Sequence, residues 1–164
     1  MSRRRWFLAG VLAVAAVVLT VVLWPTSYPG LDPDRAERVT LYSIEFREGP
    51  EQLSGTGEVV HGFPVLGKVE VTDAEQRRQL FDALKSALAQ RNVMQYKCFF
   101  PRHVLQVEQD GRVIEYVVCF QCRNYEMYVD GNRRYHNTRS IGPDAAPVFN
   151  KPLEDANIPI VPKL

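Results

Sequence analysis

The chain has 164 residues, 46% of them hydrophobic, with 20 Lys or Arg against 19 Asp or Glu. Beyond a membrane segment, this length suits one domain of ordinary size with a real core and weighs against a second. Three of the basic residues are Arg3, Arg4 and Arg5, so the rest of the chain is slightly acidic; with no basic stripe, nothing points to nucleic acid as a partner.

After Arg3-Arg4-Arg5 the chain is uncharged from Trp6 to Trp24, WFLAGVLAVAAVVLTVVLW, and Thr20 is the only polar side chain there apart from the indoles. As a helix this run is about 28 Å long, close to the hydrocarbon thickness of a bilayer. Tryptophans at its two ends suit the interfaces, Pro25 stops the helix, and the arginines stay inside. The expected organisation is a cytoplasmic basic segment (1–5), a transmembrane signal anchor (6–24), a proline-rich tether (25–37) and an extracytoplasmic domain (38–164). The expected location is the cytoplasmic (inner) membrane, single-pass, with the membrane itself as the partner of the N-terminal helix. A cleaved secretory signal is the competing reading. Ala13-Val14-Ala15 has the small-residue pattern but lies inside the run, and Trp24-Pro25 is a poor cleavage context. Both readings export the domain.

The tether, PTSYPGLDPDRAE, carries three prolines and a glycine. Arg38 to Arg47 alternates as a first strand. In EVVHGFPVLGKVEV, Gly62 and Pro64 interrupt a short or irregular piece before a firmer strand from Val65 to Val71. His61, in the irregular piece, has no second ligand nearby in sequence and reads as a surface or hydrogen-bonded histidine. Asp73 then caps a helix, with Gln76 in the capping-box position. Ala74, Leu80, Phe81, Leu84, Ala87 and Leu88 form its apolar stripe.

From Cys98 to Cys122 the sequence reads CFFPRHVLQVEQDGRVIEYVVCFQC. Asp110-Gly111 is a two-residue hairpin signal between alternating apolar runs. Pairing Gln109 with Arg112 sets Val107 opposite Ile114, Leu105 opposite Tyr116 and His103 opposite Val118 on one apolar, buried side. Glu108 and Glu115 then fall on the polar side, where cross-strand charge pairing explains them. Tyr125 to Val129 continues as a strand, and Asp130-Gly131-Asn132 turns into Arg133 to Thr138, giving an antiparallel meander with a polar edge. Five prolines between Ser140 and Leu164 exclude a long helix there. A short helix over Pro147 to Asn157 places Phe149, Leu153 and Ala156 against the sheet. The expected fold class is α+β: an antiparallel meander sheet of about five to six strands with one main helix packed on a face, plus the N-terminal transmembrane helix.

The hairpin register gathers all three cysteines and His103 at one end. Three chemistries compete for them. Cys98, His103, Cys119 and Cys122 make a Cys3His ligand count for zinc, although C-x4-H is not a standard knuckle and the register sends His103 and Cys119 to opposite faces. A disulfide between Cys98 and Cys122 fits their opposed positions and an exported domain. A redox pair of Cys119 and Cys122 has the CxxC spacing but ends a strand instead of opening a helix. Arg102 and Arg123 stand close enough in sequence to depress a thiol pKa. No phosphate-loop, nucleophile-elbow, zincin or dinucleotide fingerprint occurs.

The run CFFPRH, the hairpin and VVCFQC, preceded by PVLGKVEV and the capped helix, resemble a group of small exported or membrane-anchored bacterial proteins with a Cys-Phe-x-Pro-Arg-His and Cys-Phe-x-Cys core. The likeness covers Gly62 to Gly131. It implies export and the cysteine core, and no activity, substrate or catalytic residue. The expected function is a non-enzymatic extracytoplasmic binding or structural module, with a protein in the cell envelope as a candidate partner. The alternative is an envelope thiol-disulfide enzyme using Cys119 and Cys122.

Overall fold

The computed structural model describes residues 30–46, 56–90 and 93–162, with the backbone alone at 135–139. The expected anchor at 6–24 and the start of the tether lie outside the described residues, among which no helix is long and apolar enough to cross a membrane. In chain order the elements are β1 (Ala36–Ile44), β2 (Val59–Val60), β3 (Phe63–Glu70), α1 (Ala74–Ala89), β4 (His103–Gln109), β5 (Arg112–Cys119), β6 (Asn124–Val129), β7 (Asn132–Ser140), a 3-10 turn (Pro143–Ala145) and α2 (Ala146–Asp155). All neighbouring strands pair antiparallel, in the order β2-β3-β1-β4-β5-β6-β7.

The class is α+β with an antiparallel sheet, but the sheet is larger than expected and only β4 to β7 form a meander. β1 lies between β3 and β4, so the β3-α1-β4 connection steps over it. Crossing a strand in this way carries α1 onto one face of the sheet. Its cap is the expected one: Asp73 Oδ1 accepts from the Gln76 backbone N–H at 2.7 Å. Leu80, Phe81, Leu84 and Ala87 are buried, while Leu88 is half-buried and Ala74 exposed. Residues 31–37, expected as free tether, are packed instead. Leu31 and Ala36 are buried, Asp32 and Pro33 open a turn closed by Arg35 N and Ala36 N on Asp32 O, and Gln109 Oε1 accepts from Asp32 N at 3.0 Å.

The β4–β5 hairpin has the register read from its turn, with Gln109 opposite Arg112 and His103 opposite Val118. Asp110 and Gly111 both have positive φ (55° and 69°), the twist that two-residue hairpins need. His61-Gly62 is the same device between β2 and β3, with φ of 51° and 89°. On the face carrying Val39, Leu41, Leu105, Val107, Ile114 and Val118, all fully buried, the cover is α1 with Phe149 and Leu153 of α2. Ala156, expected against the sheet, is exposed because the helix ends at Asp155.

The other face has its own core, formed by Tyr42, Ile44, Val65, Val104 and Val117, with Phe63, Phe99 and Tyr128 packed against it. Three strands separate β3 from β6, which in a flat sheet would hold them about 19 Å apart. Yet the His61 ring stacks on Tyr128 of β6 with centroids 3.5 Å apart, and His61 Nε2 lies 2.9 Å from Glu115 Oε2 on β5. The sheet therefore curls. Curling buries Glu115, against the expectation that it faces solvent; Gln106 Nε2 donates to it at 2.9 Å and Tyr42 donates to Gln106. Glu108, at the open end of the same face, does pair outwardly, with Arg38 at 3.1 Å.

Burial pushes the Glu115 carboxyl upward, but the hydrogen bonds from His61 and Gln106 and the His61 charge outweigh it and hold the pKa below its ordinary value. His61→Ala leaves one buried carboxylate oxygen unpartnered, and the expected loss in urea unfolding is about 2–4 kcal/mol at pH 7. Glu115 stabilises the fold fully above the ordinary carboxylate range near pH ~4.3, and this contribution disappears as pH falls through its lower folded value. His61→Ala shrinks that acid step; an unchanged step would show that the latch does not hold the curl.

Candidate functional site

Beyond the paired strands, a set of backbone and amide bonds keeps the two ends of the hairpin together. Arg102 N donates to Val118 O at 3.3 Å, and Tyr96 N to Cys122 O at 3.1 Å. The buried Asn124 amide donates to the carbonyls of Cys98 (2.8 Å) and Tyr96 (3.3 Å). The segment before β4 thus runs beside the β5–β6 turn. Cys98 and Cys122 lie at disulfide-bonding distance, their α-carbons 5.6 Å apart.

Cys119 is free and buried. Its sulfur accepts from Cys122 N at 3.1 Å. Burial pushes its thiol up, outweighing the backbone N–H groups of Cys122, Phe100 and Gln121 and the Arg102 charge, which favour the thiolate. No helix begins at the CxxC; residues 120–123 form a turn into β6. The arrangement opposes the thiolate that a redox pair would use.

His103 is buried at the helix-covered face, with Nε2 2.9 Å from Asn150 Oδ1 on α2. An amide oxygen only accepts, so Nε2 carries the proton. Nδ1 is then the buried lone pair, and it has no partner. Burial and, secondarily, the nearby Arg102 charge push the imidazole down to about 4 despite the Asn150 bond. The four residues read as a zinc set are therefore not assembled as one. Cys98 and Cys122 face each other, Cys119 points to the concave core, and His103 is bonded to α2. Among the described residues no three His, Cys, Asp or Glu side chains are placed to share a metal ion.

Of the four, Cys98 and His103 border a cavity of about 710 Å³. Cys98, His103 and Phe120 line it from the sheet, Asn150 lines it from α2, and Arg102 and Arg123 stand in its wall. Its last wall is formed by Ile160, Val161 and Pro162 of the extended tail, which sequence reading leaves unassigned. Arg102 Nη2 donates to Pro162 O at 2.7 Å and to Gln121 Oε1 at 2.8 Å, and Ser43 Oγ donates to Pro159 O. Ile158 fits over Gly67, where a β-carbon would approach its Cγ2 to 2.7 Å. The signal for such a strap was the proline spacing in IPIVP, which favours extended backbone. Asn150 carried no signal at all.

No protein-family model matches the chain, and no curated protein or solved structure is significantly similar to it.

Cys98→Ser should lower stability in non-reducing urea unfolding by at most about 3.5 kcal/mol, the entropic figure for a loop of this length, because the ladder already holds the hairpin; a larger loss would mean that the pair holds more than its loop. His103 has a separate signature. In the unfolded chain it protonates near pH ~6.5, but in the folded chain only near 4. Stability should be full above the upper value and fall toward the lower by up to roughly 3 kcal/mol. His103→Gln should flatten this window, as read by unfolding midpoints across pH.

Proposed function

We propose that the chain is a membrane-anchored, extracytoplasmic binding module of the bacterial envelope, non-enzymatic, whose binding site is the cavity at its cysteine end. The observation carrying this reading is the cavity itself. Its volume falls in the range of small-molecule sites, and the segment forming one wall is fixed by the Cys98–Cys122 pair. A disulfide at that place suits an oxidising compartment. Export is supported independently by Arg3-Arg4-Arg5 and the uncharged run that follows. The alternative, a thiol-disulfide enzyme, draws support from the Cys122 N–H to Cys119 sulfur contact, which sets a third sulfur beside the pair; burial of that thiol weighs against it.

The test uses the full chain in bacterial cells. The expected result is fractionation with the membrane, with Cys98 and Cys122 closed to PEG-maleimide in denaturant until reduced. A soluble chain with three reactive thiols would overturn the reading. In reconstituted membranes, a small-molecule panel should include compounds that raise the Tm of the wild type and not of Ala146→Trp, which fills the cavity from α2; equal shifts in both would place binding elsewhere. Turnover in a disulfide-reduction assay, lost in Cys119→Ser, would favour the enzyme instead.

A further inference from the structure

Several of the described arginines have a carboxylate partner. Arg35, Arg38, Arg78, Arg112 and Arg133 each stand within 4.0 Å of a carboxylate. The two at the cavity do not. Arg102 gives both bonds of one nitrogen to neutral acceptors, the Gln121 amide and the Pro162 carbonyl, leaving Nη1 without a partner and Nε buried without one. Arg123, held in the turn at a φ of 57°, lies over the Tyr96 ring at 5.6 Å. Glu154 also lines the cavity, exposed and in no ion pair with either arginine. His103 adds no positive charge near neutral pH.

A guanidinium half-removed from water without a counter-charge is destabilised in its charged form, and burial lowers the Arg102 pKa accordingly. Among the described residues no carboxylate is paired with either guanidinium. Two arginines and one glutamate leave a single positive charge to be matched, which suits a monoanion better than a dianion. Beside the polar groups of His103, Gln121 and Asn150, the wall carries Phe100, Phe120, Pro143 and Ile160, which offer an aromatic or branched body an apolar surface.

We propose that the cavity takes a small organic carboxylate with an apolar body, its carboxylate held by Arg102 and Arg123 and its body lying against Phe120, Phe100 and Ile160. This rests on the reading of the cavity as the binding site, and the experiment separates the two. The full chain in lipid nanodiscs, with empty discs as control, is titrated by calorimetry with 2-naphthoate, its neutral amide naphthalene-2-carboxamide and inorganic phosphate. Naphthoate should bind at least tenfold tighter than the amide, weaken with added salt, and lose tenfold or more in Arg102→Gln. Because Arg102 also holds the tail, Arg123→Gln provides a second variant that breaks no strap bond, and it should lose affinity as well. If the amide binds as tightly and both variants bind normally, the carboxylate is wrong and the cavity stands. If phosphate binds at least as tightly as naphthoate, the apolar monoanion is wrong. If none binds, or Ala146→Trp leaves naphthoate binding unchanged, the cavity reading falls with it.

Discussion

A slip of one residue in the pairing of β4 with β5 would exchange the two faces of the sheet, because side chains alternate along each strand. Positive φ at both Asp110 and Gly111 fixes the register that avoids this. His103, Leu105 and Val107 go to the helix-covered side, and Val104 and Gln106 to the concave side with Glu115 and Val117. Each face is specific for its polar member. Glu115 finds His61 and Gln106 only on the concave side, and His103 finds Asn150 only under α2. A slip that turned β5 over would bury the Glu115 carboxylate on the helix-covered face, and one that turned β4 over would bury the His103 imidazole on the concave face; either group would lose its partner. Desolvation of those two groups therefore reinforces what the turn specifies.

The same register polarises the domain along its strands. At the hairpin-turn end, charges are paired: Arg35 with Asp110 at 2.7 Å, Arg112 with Asp130 at 2.8 Å. These are exposed pairs and each stabilises little, but they leave that end electrostatically closed. At the opposite end, among the described residues, neither Arg102 nor Arg123 is ion-paired: Arg102 is bonded to neutral acceptors and Arg123 lies over a ring. One end is finished by its own side chains, and the other ends in a cavity with unmatched positive charge. The stabilising cores lie between, one under the helices and one inside the curl, and the helix-side core reaches the cavity wall where His103 and Phe120 pack on Phe149.

Local pattern made some of this legible and long-range pairing hid the rest. The β4–β5 register, the Asp73 cap and the Asp130-Gly131 turn all follow from residues within a few positions of one another. Nothing local tells that β1 lies between β3 and β4, since its alternation would suit an edge as well as a centre. His61-Gly62 hid a tight turn because its first residue is His, less diagnostic of positive φ than Asn or Asp. The burial of Glu115 follows from the curl, which no single strand encodes. For the four candidate ligands the local pattern was informative, since strand alternation already sends His103 and Cys119 to opposite faces. Leu31 and the Asp32–Pro33 turn attach the second part of the expected tether to the domain, which composition alone does not represent.

The third cysteine decides whether the cysteine end is a static wall or a moving one. Exchange with the Cys98–Cys122 pair would begin with attack by a thiolate on one of its sulfurs. Cys119 sits beside Cys122 in sequence spacing and accepts its N–H, so proximity favours attack. Burial works against it: the thiol is pushed up, outweighing the backbone N–H groups of Cys122, Phe100 and Gln121 around it. Freeing it would disturb the strand end where Arg102 N and Asn124 hold the chain. The barrier is thus the burial of the thiol. So long as it stays buried, Cys98 and Cys122 keep the segment before β4 in place, and with it the Arg102 guanidinium and the tail that closes the cavity.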